Sequence, residues 1–321
     1  MYKESKTLFL LTETPLHAGS GDDLGVVDLP IQRERHTQYP KIEASSLKGA
    51  LRQAFEAQCS EDPTNDPTIA ALFGPEDADN NGHAGAMAFT DARILLFPVK
   101  SVKGVFAWIT CPAVLERLKS DLSLTKTTDF PEIPLENKVP KGSKLIVKNQ
   151  GNNQGMAKGN IVLEEYTFVV EEDEKCTVMA TWLSDHLIDS ATDYRKSKIK
   201  IDLAVLSNDD FCDFVQLSTE VITRIKIDNK TGTVEDGALF TEEYLPSESV
   251  MYSVIFAAAQ FFDIGKAKND IEFLKKLVFK EAAQTMNSFS ATLTGETKIN
   301  NIFQLGGNTT LGKGILRAKL I

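Results

Sequence analysis

Four cysteines in 321 residues, Cys59, Cys111, Cys176 and Cys212, stand far apart with no paired spacing. That excludes a disulfide framework and the usual zinc-ligand arrangements, and leaves buried thiols in a reducing compartment as their expected state. The sequence also lacks any run near the ~20 apolar residues that cross a bilayer. Its opening, MYKESKTLFLLTETP, has too short an apolar core, with acidic flanks, for a secretory signal. A cytoplasmic protein with no membrane partner is the expectation. No internal repeat of solenoid period is visible. Net positive charge is missing too: 35 basic residues against 45 acidic ones give −10.

That sum ordinarily argues against a reader of nucleic acid, but a polyanion responds to local potential rather than to the total. The charges are segregated. Residues 138–160 carry five lysines and no acid, YRKSKIK at 194–200 carries four basic residues and no acid, and 297–321 carries four more. Acids gather elsewhere, in EEDE at 171–174 and NDDFCD at 208–213. Hydrophobic content of 42% and charged content of 25% are ordinary for a globular chain, so fold class has to come from pattern.

SKTLFLLTE (5–13) reads as a buried first strand. ASSLKGALRQAFEAQCS predicts a helix, with Leu47, Leu51, Ala54 and Phe55 at helical spacing and Ser45 as N-cap. Residues 60–85 read as a polar loop. GAMAFTDARILLFPV and GVFAWITC read as two strands, followed by a helix with Pro112 in its first turn. The middle third looks less regular, with a mobile Lys/Gly/Asn-rich segment at 141–160. VITRIKI and TVEDGALFTEEYLP predict a long hairpin with its turn at 229–232. ESVMYSVIFAAAQFF reads as a strand, KNDIEFLKKLVFKEAAQTM as an amphipathic helix and GILRAKLI as a closing strand. The order suggests an α+β, ferredoxin-like sheet of the kind RNA-recognition modules share, enlarged by insertions.

Three segments carry chemistry. GNTTLGKG (307–314) has the spacing of a phosphate-binding loop, but Gly314 stands where a Ser or Thr would hold magnesium, and a strand follows instead of a helix, which excludes an NTPase. Gly306, Gly307, Gly312 and Gly314 still suit close backbone approach to a phosphate, with Lys313 adding charge. The helix opened by Ser45 and Ser46 offers a second anion cradle, with Lys48 and Arg52 four residues apart on one face. GVVDLPIQRERHTQYP (25–40) sets Asp28 in an apolar run beside Arg33, Arg35 and His36. His83 and His186 lie in ordinary polar contexts and receive no role.

HAGSGDDLGVVDLPIQRERHTQYPKIEASSLKGALR, the GGNTTLGKG loop and the TGTVEDGALFTEEYLP hairpin together resemble the RAMP superfamily of CRISPR RNA-binding proteins, within it the backbone subunit of type III-B (Cmr) effector complexes. The resemblance implies several copies of the chain stacked along one CRISPR RNA, other Cmr-type subunits as partners, and cleavage of complementary target RNA at regular intervals in antiviral defence. It implies a single RAMP domain over 1–321: a palm from about 1–60, 86–125 and 249–321, a finger-like insertion at about 126–200 and a thumb hairpin at about 220–248. The implied catalytic aspartate is Asp28, with His17, Glu242 and Tyr244 beside it. Ser45, Ser46, Lys48, Arg52, Gly306, Gly307, Gly312, Lys313 and Gly314 are implied to hold the guide backbone. The implied cofactor is a divalent metal on Asp28, Mg²⁺ or else Mn²⁺.

The chemistry agrees with this assignment. RNA brings its own 2′-OH nucleophile, so cleavage needs in-line geometry, charge stabilisation and proton removal, and Asp28 serves as metal ligand or as general base. Arg33, Arg35 and His36 would draw the phosphate in, or else form a salt-bridge network with Glu34. Asp28 itself could instead be a turn residue that satisfies backbone donors. A purely structural guide-binding protomer and a metal-independent precursor-processing endonuclease are the competing functions.

Overall fold

Thr7 to Thr12 are all buried, side chains of both faces alike, which requires a central strand with neighbours on each edge. The computed structural model describes residues 2–22, 25–59, 66–75, 83–125, 127–147, 158–261, 278–295 and 299–321, the side chains of 236–238 aside. In it, β1 (Glu4–Thr12) lies antiparallel between β12 (Val250–Ala257) and β14 (Ile315–Leu320). On the far side of β12 run β3 (Met87–Phe89) and β4 (Ala92–Lys100), and β4 also pairs with β2 (Lys41–Ile42) and β5 (Phe106–Thr110). The sheet continues through β9 (Leu203–Val205), β6 (Lys138–Pro140), β8 (Tyr166–Asp173) and β7 (Lys158–Leu163), while β13 (Ile302–Gln304) edges β14. The β5–β9 and β6–β8 pairs are parallel, so the sheet is mixed and the class is α with β. A separate hairpin joins β10 (Glu220–Ile227) to β11 (Val234–Tyr244).

Helix α1 (Ala44–Glu56) buries Leu47, Leu51 and Phe55, as its periodicity predicts. The Phe55 ring stacks on Phe289 of α7 (Ala282–Thr294) at 5.3 Å and meets Phe73 of α2 (Pro67–Phe73) edge-on at 5.2 Å. Helix α3 (Pro112–Ser123) starts on its proline. Helices α4 (Glu174–Leu187), α5 (Tyr194–Asp202) and α6 (Asn208–Leu217) occupy the middle third, which is regular after all. The acidic run 171–174 is its strand-to-helix junction: Asp173 caps α4 by accepting from Cys176 N–H.

Other expectations need correction. Ser45 is exposed and does not cap α1. The cap position is Glu43, and the Ala44 N–H is met by the Asp91 carboxylate at 2.9 Å, a partner from another segment. The expected loop at 60–85 contains α2, capped by Asp66 with Pro67 at the first position. The expected single strand at 85–99 breaks between β3 and β4. The predicted helix at 268–286 lies outside the described residues up to 277, and α7 begins only at Ala282, where Glu281 and Gln284 form a capping box. Half of the Lys/Gly/Asn-rich segment, 148–157, also falls outside the described residues.

The hairpin is held to the body by Glu243. Its Oε1 accepts from Arg33 at 2.5 Å and from Thr219 at 2.7 Å, and its Oε2 accepts from the Ile31 N–H at 3.0 Å. Only 5% of this residue is exposed. Removing one partner of a buried ion pair strands the other charge, so Glu243→Ala is expected to lower the unfolding free energy by about 3 kcal/mol in urea titrations. Arg33→Met should cost less, because Thr219 and the Ile31 N–H remain on the carboxylate.

Candidate active site

Strand β11 has one edge on β10 and uses the other to collect two distant segments. Leu29 pairs alongside it, its N–H donating to Thr241 O at 3.0 Å and its carbonyl accepting from Glu243 N–H at 3.0 Å, and Leu16 exchanges backbone bonds with Leu245. Asp28 and His17 therefore arrive on the same strand edge, at Thr241 and Glu243, about 7 Å apart along the strand. Side chains alternate across the hairpin, so Glu242 and Tyr244 share one face while Thr241 and Glu243 take the other.

Asp28 is exposed. Its Oδ2 accepts from the Thr241 N–H at 2.7 Å and the Thr241 hydroxyl at 2.8 Å, and these bonds hold the carboxyl below its ordinary range. Oδ1 has no protein donor among the described residues. The apolar run around Asp28 is not a buried one: Val26 is 99% exposed. The turn-residue role and an outward-facing reactive oxygen coexist here, one on each oxygen.

His17 Nδ1 lies 2.7 Å from the carbonyl of Glu243, which only accepts, so Nδ1 carries the proton and Nε2 faces the site. Nε2 is 3.7 Å from Glu242 Oε1, and the His17 ring is 5.6 Å from that of Tyr244. Glu242 is 5% exposed. Burial raises its pKa, but hydrogen bonds from Tyr244 and Asn308, the His17 charge and a bond from Arg224 outweigh it and hold the carboxyl below the usual range. Burial, with the bond to Glu242, pushes the Tyr244 phenol up, so its proton stays on the ring oxygen and points at Glu242 Oε2 at 2.5 Å. The Lys313 ammonium lies 4.9 Å from the centre of the Tyr244 ring.

The other predicted residues divide. Arg33 is committed to Glu243 and to the carbonyls of Gln38 and Val215. Arg35 is exposed and unpaired among the described residues, and His36 stands exposed 3.8 Å from Glu34. Glu34 belongs to Arg117 and Thr37. Arg52 is committed to Glu56 and Gly74 O. Among the described residues Lys48 has no carboxylate partner, only the Met87 carbonyl at 3.4 Å, and burial with Arg52 nearby pulls its pKa down. Ser45 and Ser46 make no side-chain bond among the described residues.

The glycine loop does not present a free cradle throughout. The N–H groups of Gly307, Gly312 and Gly314 donate to His17, Thr309 and Pro15 carbonyls. Gly306 (φ 83°) and Gly314 (φ 73°) are glycines because a Cβ there would strike the carbonyls of His17 and Leu305. The basic stretch 194–200 is likewise spent: Arg195 pairs with Glu13 and Asp193, Lys196 and Lys200 with Asp185, and Lys198 with Asp202. Sequence reasoning missed Thr241, Glu243, Arg224 and Asn308. Only the TEEY alternation hinted at them.

A family model, that of the RAMP superfamily, matches residues 9–317. The chain belongs to the RAMP superfamily. Among RAMP relatives it is 36% identical over 314 residues to the CRISPR system Cmr endoribonuclease Cmr4 of Pyrococcus furiosus, covering 97% of this chain and 94% of that one. The crystal structure of oligomeric Cmr4 from Pyrococcus furiosus superimposes with a TM-score of 0.68 at 29% identity, over 99% of this chain and 97% of that one. A chain of a type III-B Cmr-beta complex bound to cognate target RNA shares the fold, with a TM-score of 0.65 at 21% identity and coverage of 99% and 98%.

Replacing Thr241 by Val in this RAMP chain removes the hydroxyl donor and keeps the backbone one, so the Asp28 carboxyl should move up toward its ordinary value. Carboxyl-carbon NMR across a pH titration reads this shift. With its pKa depressed in the folded chain, Asp28 favours folding above its unfolded pKa, and the effect is lost as pH falls through the folded one.

Proposed function

We propose that this chain is the repeated guide-RNA-binding backbone subunit of a type III-B CRISPR effector complex, and that it cleaves complementary target RNA in antiviral defence. The observation that carries the reading is the convergence of Asp28, His17, Glu242 and Tyr244 on one strand of a RAMP chain that is similar over almost its whole length to a protein named an endoribonuclease. Its partners are CRISPR RNA, target RNA, further copies of itself and other Cmr-type subunits.

The domain plan supports the reading. In chain order β1, α1, β4, β12, α7 and β14 give the spatial order β14–β1–β12–β4, that of a split β-α-β ferredoxin-like palm. The palm takes in about 1–60, 86–125 and 249–321, with the finger at about 126–200 and the thumb at about 220–248. The thumb exposes Val221, Ile225 and Leu239 on one face, with Ile225 directly opposite Leu239 and Val221 further along the same strand as Ile225. Such side chains are suited to unstacking a base at each thumb. Arg35, Lys48 and Lys313, three of the cations that pair with no carboxylate among the described residues, suit the phosphate backbone.

The 2′-OH of a splayed target nucleotide attacks the adjacent phosphate. Among the described residues no group of three or more His, Cys, Asp and Glu side chains is set to hold a metal, and Asp28 offers one uncommitted oxygen. That donor fits Mg²⁺ or Mn²⁺, which keeps its waters and takes RNA phosphate oxygens, so Asp28 would hold the ion. The bound ion would supply charge neutralisation at the phosphate. His17, with Nδ1–H fixed on Glu243 O, offers Nε2 for proton transfer, and ionised Glu242 beside it steadies the charge that develops on the ring. The 2′-OH gives its proton to a base as its oxygen bonds to phosphorus, the P–O5′ bond breaks, and the leaving 5′-oxygen takes up a proton, so the fragments end in a 2′,3′-cyclic phosphate and a 5′-hydroxyl.

With the complex reconstituted on its guide, Asp28→Ala is expected to abolish regularly spaced, Mg²⁺-dependent cuts in labelled complementary RNA while target binding stays unchanged. Cuts that persist would leave this chain as scaffold, with the chemistry in another subunit.

A further inference from the structure

Asn308 is the one residue through which the glycine loop touches the Glu242–Tyr244 pair by hydrogen bonds among the described residues. Its side-chain amide donates to Glu242 Oε1 at 2.6 Å and to the Tyr244 hydroxyl at 2.8 Å. From the opposite strand Arg224 does the same, donating to Glu242 Oε2 at 3.3 Å and to the Tyr244 hydroxyl at 2.6 Å. Tyr244 sends its own proton to Glu242 Oε2. Both carboxylate oxygens and both acceptor positions of the phenol are thereby filled. An ionised carboxylate accepts only, which fixes the amide nitrogen, and not the amide oxygen, toward it. The backbone of Asn308 is left-handed, at φ 63° and ψ 34°, in the turn between Gly307 and a short 3-10 segment (Thr309–Leu311).

We propose that Asn308 is a positioning residue of the cleavage site: it bridges Glu242 to Tyr244 and so fixes the carboxylate that faces His17 to the loop carrying Lys313. The proposal rests on the assignment of Glu242, Tyr244 and His17 to target cleavage. Hydrogen bonds to a charged group are among the strong ones, and the alternative for Glu242 is a buried charge with fewer donors. Without the bridge Glu242 is tied only from the β10 and β11 side, and its distance to His17 Nε2 is no longer set by the loop. Displacements near 1 Å at a reacting centre cost about a hundredfold in rate. The loop therefore contributes a side chain to the site as well as backbone room.

The rival explanation is that Asn308 serves only to make the left-handed turn. Asn308→Gly and Asn308→Asp both tolerate that backbone, so a turn-forming role predicts wild-type behaviour from each. A bridging role predicts loss from each, and the larger loss from Asp, which sets a carboxylate against Glu242. In the reconstituted complex, single-turnover cleavage at saturating target RNA is expected to fall about ten- to hundredfold in both variants, with target affinity unchanged and both still folded at the assay temperature, although the donor lost from Glu242 lowers their melting temperatures, more so for Asp. Either variant cutting at the wild-type rate overturns the proposal, as does a loss explained by weaker RNA binding or by unfolding at the assay temperature. Glu242→Gln in the same assay separates the two layers. If it cuts normally, the assignment of Glu242 fails and the bridge with it; if it is dead while Asn308→Gly is active, only the bridge fails.

Discussion

The free edge of β11 is the constraint on which the site depends, and Glu243 is where it is fastened. A two-stranded hairpin has little stability in water by itself. Here one edge is closed by β10 and the other by Leu29 and Leu16, with the Glu243 carboxylate gathering Ile31, Arg33 and Thr219. The same residue's carbonyl orients His17. Segments more than 200 residues apart are thus brought into register by one side chain and a few backbone bonds.

Adjacent carboxylates at 242 and 243 take opposite roles because a strand turns successive side chains to opposite faces. Glu243 meets a guanidinium and a backbone N–H in the body of the protein. Glu242 meets a phenol, an amide, a second guanidinium and an imidazole on the face that carries the candidate chemistry. Both are nearly buried and both would be costly without these donors, so the polar network stands or falls as a unit.

Much of the architecture was legible from periodicity: β1, α1, the β4–β5 pair, the hairpin and the last strand all lie where apolar spacing and turn residues place them. What stayed hidden was set by partners distant in sequence. Ser45 has the chemistry of an N-cap, yet Asp91 takes the neighbouring N–H. YRKSKIK looks like a phosphate-binding run, yet Glu13, Asp185, Asp193 and Asp202 neutralise it. Arg33 stands beside Asp28 in the chain but belongs to Glu243. The residues that build the site's support, Thr241, Arg224 and Asn308, are of ordinary type in ordinary local contexts, and only pairing across the hairpin and the loop gives them a role. His17, Glu242 and Tyr244 were singled out by resemblance, since no local pattern joins them, and Asp28, marked locally by its apolar run beside a guanidinium cluster, took its catalytic role from the same resemblance.

On the proposed function, the distribution of unmet valences has a physical logic. In a chain of net charge −10, RNA binding depends on where the cations lie, and Arg35, Lys48 and Lys313 are among those that pair with no carboxylate among the described residues. Asp28 likewise has one oxygen with no protein donor among the described residues, while the other is held by Thr241. On that proposal, the Asp28 oxygen that Thr241 does not hold would take the ion that accompanies the phosphate. A carboxylate in that state has little catalytic power toward RNA that merely collides with it. It gains that power only when a nucleotide is held in line beside it, so the weakness of the isolated site is itself a source of selectivity for a target already paired with the guide.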